Sequence, residues 1–177
     1  DVNSVDVSDL LNVVYYAAGT SSLTHGFISG GVAYTDRIEK HQFATTNNAT
    51  SVGILTDARG AHTASHSTTY GFCAGGSTGL TNTIDRHNFN ADEDATDWAD
   101  LTVANDWGAG ASSADYGYQI AGSDVPSDTE IQKFPFASQT NASDVGDIGT
   151  ARSSHACNNS LTHAYSAGGN SGTKTIE

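Results

Sequence analysis

The chain reads as an all-β repeat protein, a β-propeller of about four blades with about 46 residues in each four-stranded unit. Three observations predict this. Ile38, Ile84, Ile131 and Ile176 recur at nearly constant spacing, as do Val7, Val52, Trp98 and Val145, and three residues later Leu10, Leu55, Leu101 and Ile148. Within the 177 residues there are 19 glycines and two prolines among abundant Ser, Thr, Asn and Ala, which suits short strands joined by tight turns. Long Leu-, Glu- and Lys-rich stretches at helical spacing are missing, so the period does not describe helical pairs.

Each unit begins with an arm of small residues: Ala17-Ala18-Gly19, Thr63-Ala64, Gly108-Ala109-Gly110 and Ala156-Cys157. Strands that converge on an axis have room for little more, so these are the expected inner strands. The next arm alternates large and small groups, as in Tyr70, Phe72 and Ala74, or His163, Tyr165 and Ala167, the period of a strand with one packed face. It ends in a glycine doublet, Gly30-Gly31, Gly75-Gly76 and Gly168-Gly169, reduced to Gly122 in the third unit. A doublet there fits backbone with positive φ or close approach to a neighbour. A turn is expected over residues 32–37, then a third strand around the Ile position, a polar connection, and a fourth strand carrying Val or Trp and Leu. Ser22-Leu23-Thr24-His25 returns word for word at residues 160–163, which ties the first unit to the last.

The order Arg59, His62, Tyr70, Phe72, Gly75-Gly76, Ile84, Trp98 and Leu101 resembles the kelch repeat, with Arg152 and His155 standing for Arg59 and His62 in the last unit. The resemblance covers nearly the whole chain and implies kelch-like propeller blades. The segments 48–53 and 141–148 also look like the degenerate kelch-like arrays of marine phage structural and tail-fibre proteins. The chain departs from the family where Val14 and Ala17, and later Asn105 and Gly108, replace the Arg and His, and where Val7, Val52 and Val145 replace the Trp.

Cut at the Ile position, the single repeat domain 1–177 divides into a partial unit 1–37, units 38–83, 84–130 and 131–175, and the start of another at 176–177. Two outcomes are open at the ends. The C-terminal strand completes the first blade and closes a four-bladed ring, or the chain is an excerpt of a longer array or fibre. A chain with no methionine, not even at position 1, reads as a processed product or an excerpt.

A net charge of −13, from 20 acidic and 7 basic residues, repels phosphate backbones and anionic lipid, which argues against nucleic-acid binding. No apolar run is long enough to cross a bilayer as a helix, so membrane insertion is not expected. The sequence holds no phosphate loop, and Arg37, Arg59, Arg86 and Arg152 are spread along the repeats rather than clustered. The expectation is a protein that is not an enzyme and needs no cofactor or metal. His62 and His155 read as structural hydrogen-bonding groups near Arg59 and Arg152. The acidic stretch Asp92, Glu93, Asp94 and Asp97 has the oxygen density of a calcium site without the spacing of a calcium loop, and reads as a solvated turn. Cys73 and Cys157 fall at different repeat positions, two units apart, and are expected to be buried free thiols.

Repetition and acidity point to a structural or receptor-facing module of an extracellular appendage at a virion surface, a phage fibre foremost. It would pair with like subunits or neighbouring repeats by strand completion and present itself to a cell-surface glycan or receptor. The alternative is a glycan-binding propeller, a lectin or adhesin, suggested by Tyr, Trp and His near turns. No residue of a ligand site can be named from the sequence.

Overall fold

The computed structural model describes residues 3–31, 35–123, 129–160, 162–170 and 174–177. The first half of the turn expected over 32–37, and Leu161 of the repeated tetrapeptide, lie outside them. The described residues form 14 strands and no helix.

Three antiparallel sheets of four strands and one of two follow one another along the chain. The first holds β1 (Ala18–Ser21), β2 (His25–Ser29), β3 (Arg37–Gln42) and β4 (Thr50–Ile54), each paired with the next in sequence. The second repeats this as β5 (Thr63–His66), β6 (Tyr70–Ala74), β7 (Thr83–Asn88) and β8 (Thr96–Asp100). The third does so as β9 (Ala109–Ser112), β10 (Tyr116–Ile120), β11 (Glu130–Pro135) and β12 (Ser143–Asp147). The fourth contains β13 (Ala156–Asn159) and β14 (Ala164–Ala167). The boundaries 37/38, 83/84 and 130/131 fall inside β3, β7 and β11, so they mark the phase of the repeat, while the sheets are cut half a unit away.

Local chemistry explains the recurrence. The hairpin between the first two strands of every sheet is closed by a serine whose hydroxyl accepts a backbone N–H three residues on: Ser22 from His25 at 3.0 Å, Ser67 from Tyr70 at 3.0 Å, Ser113 from Tyr116 at 3.1 Å and Ser160 from His163 at 3.1 Å. Such a turn satisfies an N–H that the strand ladder leaves over. The Ile position is where pairing to the fourth strand slips, between Ile38 and Glu39, Ile84 and Asp85, and Glu130 and Gln132. A bulge there turns the strand and re-aims the residue that follows the isoleucine.

The cores lie between successive sheets, as in other stacked repeats. Phe27, Ile38, Leu55, Cys73 and Phe89 fill the first interface, and Phe72, Ile84, Leu101, Phe134 and Phe136 the second. A smaller cluster of Ala111, Ile120, Ala121 and Ile148 forms the third. The inner strands β1, β5, β9 and β13 lie beside one another in that order. Ala109 and Ala111 are buried on β9, and Ala64 on β5 is half-buried. Ala156 is exposed, since no further sheet covers β13. The single packed face expected of the second strand does not hold inside the stack: Phe72 and Cys73, on opposite faces of β6, are both fully buried.

At the ends, no closed ring is identified among the described residues. Ile176 bridges to Ala167 of β14, and Glu177 exchanges both backbone hydrogen bonds with Ser166, at 2.8 and 3.0 Å. The segment expected to be a fourth strand around Val7 and Leu10 forms no strand, and both side chains are exposed where Leu55 and Leu101 are buried. Among the described residues no strand is paired with that segment.

Candidate functional site: the interfaces between repeats

The sheets are joined by backbone hydrogen bonds that recur at each interface. Ala61 N–H donates to Tyr16 C=O at 2.8 Å, Trp107 N–H to Ala61 C=O at 2.9 Å, and Ser154 N–H to Trp107 C=O at 2.7 Å. These four residues share one repeat position and all have positive φ, between 51° and 59°. That conformation strains a residue with a Cβ, and its fourfold return marks a backbone position that the stack imposes. A second series runs from Gly31, Gly76 and Gly122 N–H to the carbonyls of Arg59, Asn105 and Arg152, at 2.8, 2.8 and 3.2 Å. A third runs from Ala49, Ala95 and Ala142 N–H to Asp9, Ile54 and Asp100 C=O, at 2.9, 2.8 and 2.8 Å.

The glycine doublets serve the second series. Gly75 and Gly76 have φ of 67° and 114°, and a Cβ on Gly75 would overlap the carbonyl oxygen of Asn105 in the next unit. Gly30-Gly31 and Gly168-Gly169 adopt the same pair of conformations, and the third unit manages with Ala121 at φ 50° before Gly122.

The residue after each isoleucine is a connector that sequence reasoning missed. Glu39, Asp85, Gln132 and Glu177 each accept the backbone N–H of the residue after the Leu position of the preceding unit: Leu11 at 2.9 Å, Thr56 at 2.9 Å, Thr102 at 2.6 Å and Gly149 at 2.6 Å. Arg59 and Arg152 neutralise this acid. Arg59 Nη2 donates to Asp85 at 2.7 Å and Arg152 Nη2 to Glu177 at 2.7 Å. Where Asn105 replaces the arginine, the acid is replaced by Gln132, and where Val14 does, Arg37 lies 3.5 Å from Glu39. The charge is matched unit by unit, which is what burial demands. The signal was available one residue beyond the isoleucines, hidden because Glu, Asp and Gln share a role without sharing identity.

His62 is buried and its Nε2 lies 3.1 Å from Ser29 Oγ, which also contacts Cys73 Sγ at 3.1 Å. Its hydrogen bond therefore crosses to the preceding sheet rather than to Arg59. Burial, reinforced by the Arg59 charge, lowers its pKa to about 3. His155 is also buried and lowered by burial and Arg152, but neither ring nitrogen has a hydrogen-bond partner among the described residues. The repeat equivalent of Ser29 in the third unit is Ile120, which offers none. His87 is buried against Thr20 Oγ1 at 3.2 Å, and burial lowers its pKa to about 4.

Trp98 packs on Phe72 and donates through Nε1 to Pro135 C=O at 3.4 Å, while the Arg86 guanidinium lies 3.9 Å above its ring. Asp92, Asp94 and Asp97 do not converge. Asp92 pairs with Lys40 of the first sheet, Asp94 accepts from Ile54 N–H at 3.2 Å, and Asp97 is raised by burial and by Asp100 and Asp85. The acidic turn is thus a hook onto the neighbouring sheet rather than merely solvated. Among the described residues no three His, Cys, Asp or Glu side chains gather as a metal site would need. Cys73 and Cys157 are free. Cys73 is fully buried, whereas Cys157 is only half-buried.

Besides others of about 470–550 Å³ elsewhere, a cleft of about 410 Å³ lies between the third and fourth sheets. Tyr118, Ile120, Ile131 and Ile148 form its apolar wall, and the β13–β14 hairpin with Glu177 the other. No protein-family signature matches the chain, and no curated protein matches its sequence.

Proposed function

We propose that the chain is a non-catalytic structural module that extends by joining further repeats at its two ends, as a component of an extracellular appendage such as a virion fibre. Its partners on this reading are like subunits, and through them a cell-surface receptor. One observation carries it: the interface contacts repeat from unit to unit, and large apolar side chains stay exposed outside them. Val5 and Val13 at one end are 77% and 94% exposed, and Tyr165 and Ile176 at the other are 46% and 68% exposed. Large apolar groups at two different ends favour a head-to-tail contact, which builds open filaments when the rotation does not close.

Light scattering and negative-stain imaging test this. Concentration-dependent end-to-end oligomers should form and be abolished by Val13→Asp combined with Ile176→Asp. A chain that remains monomeric up to millimolar concentration would remove the reading. Its presence among the proteins of purified particles, by mass spectrometry, tests the virion assignment separately.

A further inference from the structure

We infer that Arg86, held against Tyr70 and Trp98 where the second sheet meets the third, is a binding site for the carboxylate of an acidic sugar. The inference goes beyond the reading of the chain as a structural module and does not rest on it. Nor does it depend on either end of the chain, since the second and third sheets each hold four strands.

The arginine is clamped by rings rather than paired with an acid. Its guanidinium carbon lies 4.4 Å from the centre of the Tyr70 ring and 3.9 Å from that of Trp98. Trp98 is itself fixed, donating through Nε1 to Pro135 C=O of the third sheet and packing edge-on against Phe72. Among the described residues no carboxylate and no hydrogen-bond acceptor engages the Arg86 side chain, and the Tyr70 hydroxyl is equally without a partner. All three side chains are half-buried, and no nitrogen of Arg86 is among the buried polar atoms left unpaired, so its donor edge is open to solvent.

Comparison with the unit before shows that this is a departure. Lys40 holds the same position in the first sheet, opposite Phe27 as Arg86 is opposite Phe72. Lys40 is neutralised by Asp92 of the next unit. One unit further on, the position of Asp92 is taken by Gln139, which donates instead to Asp97 C=O at 3.4 Å. The rings are gained where the acid is lost: Tyr70 stands where His25 does, and Trp98 where Val52 and Val145 do. The second unit has thus exchanged an ion pair between sheets for a cation on an aromatic platform. In a chain of 20 acidic and 7 basic residues, where Arg37, Lys40, Arg59 and Arg152 all find acids, an arginine left without one is available to a ligand.

The ligand follows from what surrounds the fork. A guanidinium presents paired N–H donors that match the two oxygens of a carboxylate, and stacking on rings fixes its plane before the ligand arrives. Asp97 and Asp100 lie on the neighbouring strand β8 and the net charge is −13, which disfavours any densely charged anion. One carboxylate on an otherwise neutral body meets both conditions. A sugar ring supplies that body, offering C–H groups to the aromatic rings and hydroxyls to the free Tyr70 hydroxyl.

The test uses the isotope-labelled 177-residue chain, read at the Arg86 Nε–H and Trp98 Nε1–H resonances, with methyl glucuronide, methyl glucoside, acetate and a doubly blocked glutamate as probes. The glucuronide should shift both resonances, saturate in the millimolar range and bind at least about tenfold more tightly than the other three. Arg86→Gln should abolish the shift at Trp98. Gln139→Asp should do the same with the arginine still in place, because it restores the acid found in the first interface. Arg86→Lys, which keeps the charge and loses the fork, should weaken binding. No shift, equal binding of the glucoside, or undiminished binding by Gln139→Asp would overturn the inference. Equal binding of acetate would do so too, since the site would then read the anion alone, and tighter binding of the blocked glutamate would make it a peptide site. Self-assembly is read apart from this: filaments without glucuronide binding would remove the sugar site and leave the module reading, whereas binding by a permanent monomer would do the reverse.

Discussion

Arg59 Nη2 lies 2.7 Å from Asp85 Oδ2, and neither side chain has exposed surface. Asp85 also accepts from Thr56 N–H and Thr56 Oγ1, at 2.9 and 2.7 Å, so one carboxylate ties the arginine to the end of the preceding unit. Replacing it as Asp85→Asn strands a buried guanidinium. Urea titration should show a loss of about 3–5 kcal/mol. The double change Arg59→Asn with Asp85→Gln, which copies the Asn105 and Gln132 of the third unit, should cost clearly less than the sum of the single changes. Additive losses would mean that the two groups do not act as a pair.

How much of this was legible in the sequence depends on whether side chain or backbone does the work. The period, the small inner arms and the glycine doublets rest on side-chain size, and size survives as residue type. Tyr16, Ala61, Trp107 and Ser154 share a strained backbone conformation and one ladder of hydrogen bonds, yet no side-chain property unites them, so nothing in their identities could reveal it. Arg59 and Arg152 were singled out but their acids were not, because Asp85 and Glu177 lie about half a repeat further along the chain. The unit ends were misplaced at Val7 and Leu10 for a different reason. A strand pattern forms a strand only where it is paired, and among the described residues no strand lies beside that segment.

The thiols should separate by accessibility. Cys73 is sealed between two sheets and its pKa is pushed up to about 11, chiefly by burial, whereas Cys157 is half-buried at the last sheet. Reaction requires the thiolate and a path to it. A thiol reagent at pH 8 should label Cys157 in the native protein, and Cys73 only as fast as the stack opens. Peptide mapping after timed labelling checks this, and equal rates would place Cys73 near solvent.

Gly75 and Gly168 hold the same repeat position with φ of 67° and 74°, but only Gly75 has a neighbouring unit against it. Alanine at either site incurs the left-handed backbone penalty of about 1–2 kcal/mol. Gly75→Ala must in addition push back the Asn105 carbonyl, which accepts the Gly76 N–H at 2.8 Å. Thermal unfolding should therefore show Gly75→Ala clearly less stable than Gly168→Ala. Equal effects would mean that backbone strain alone governs the doublet.

Acid should loosen the interfaces in a defined window. His62 and His87 are buried neutral, with pKa values lowered to about 3 and about 4, mainly by burial. An unfolded chain protonates its histidines near pH 6.5, so between that value and the lowered ones it binds more protons than the folded chain. Stability is then complete above about pH 6.5 and falls as pH drops, by about 1.4 kcal/mol per unit for each histidine. Unfolding free energies from urea titration at pH 7.5 and 5 should differ by about 2 kcal/mol for each of the two. His87→Gln, which keeps a polar group opposite Thr20, should remove one such increment and leave the neutral-pH stability less affected. If the slope between pH 7.5 and 5 is unchanged in that variant, the ring of His87 is not excluded from protons in the folded stack, and the seal between the first two sheets is looser than its burial implies.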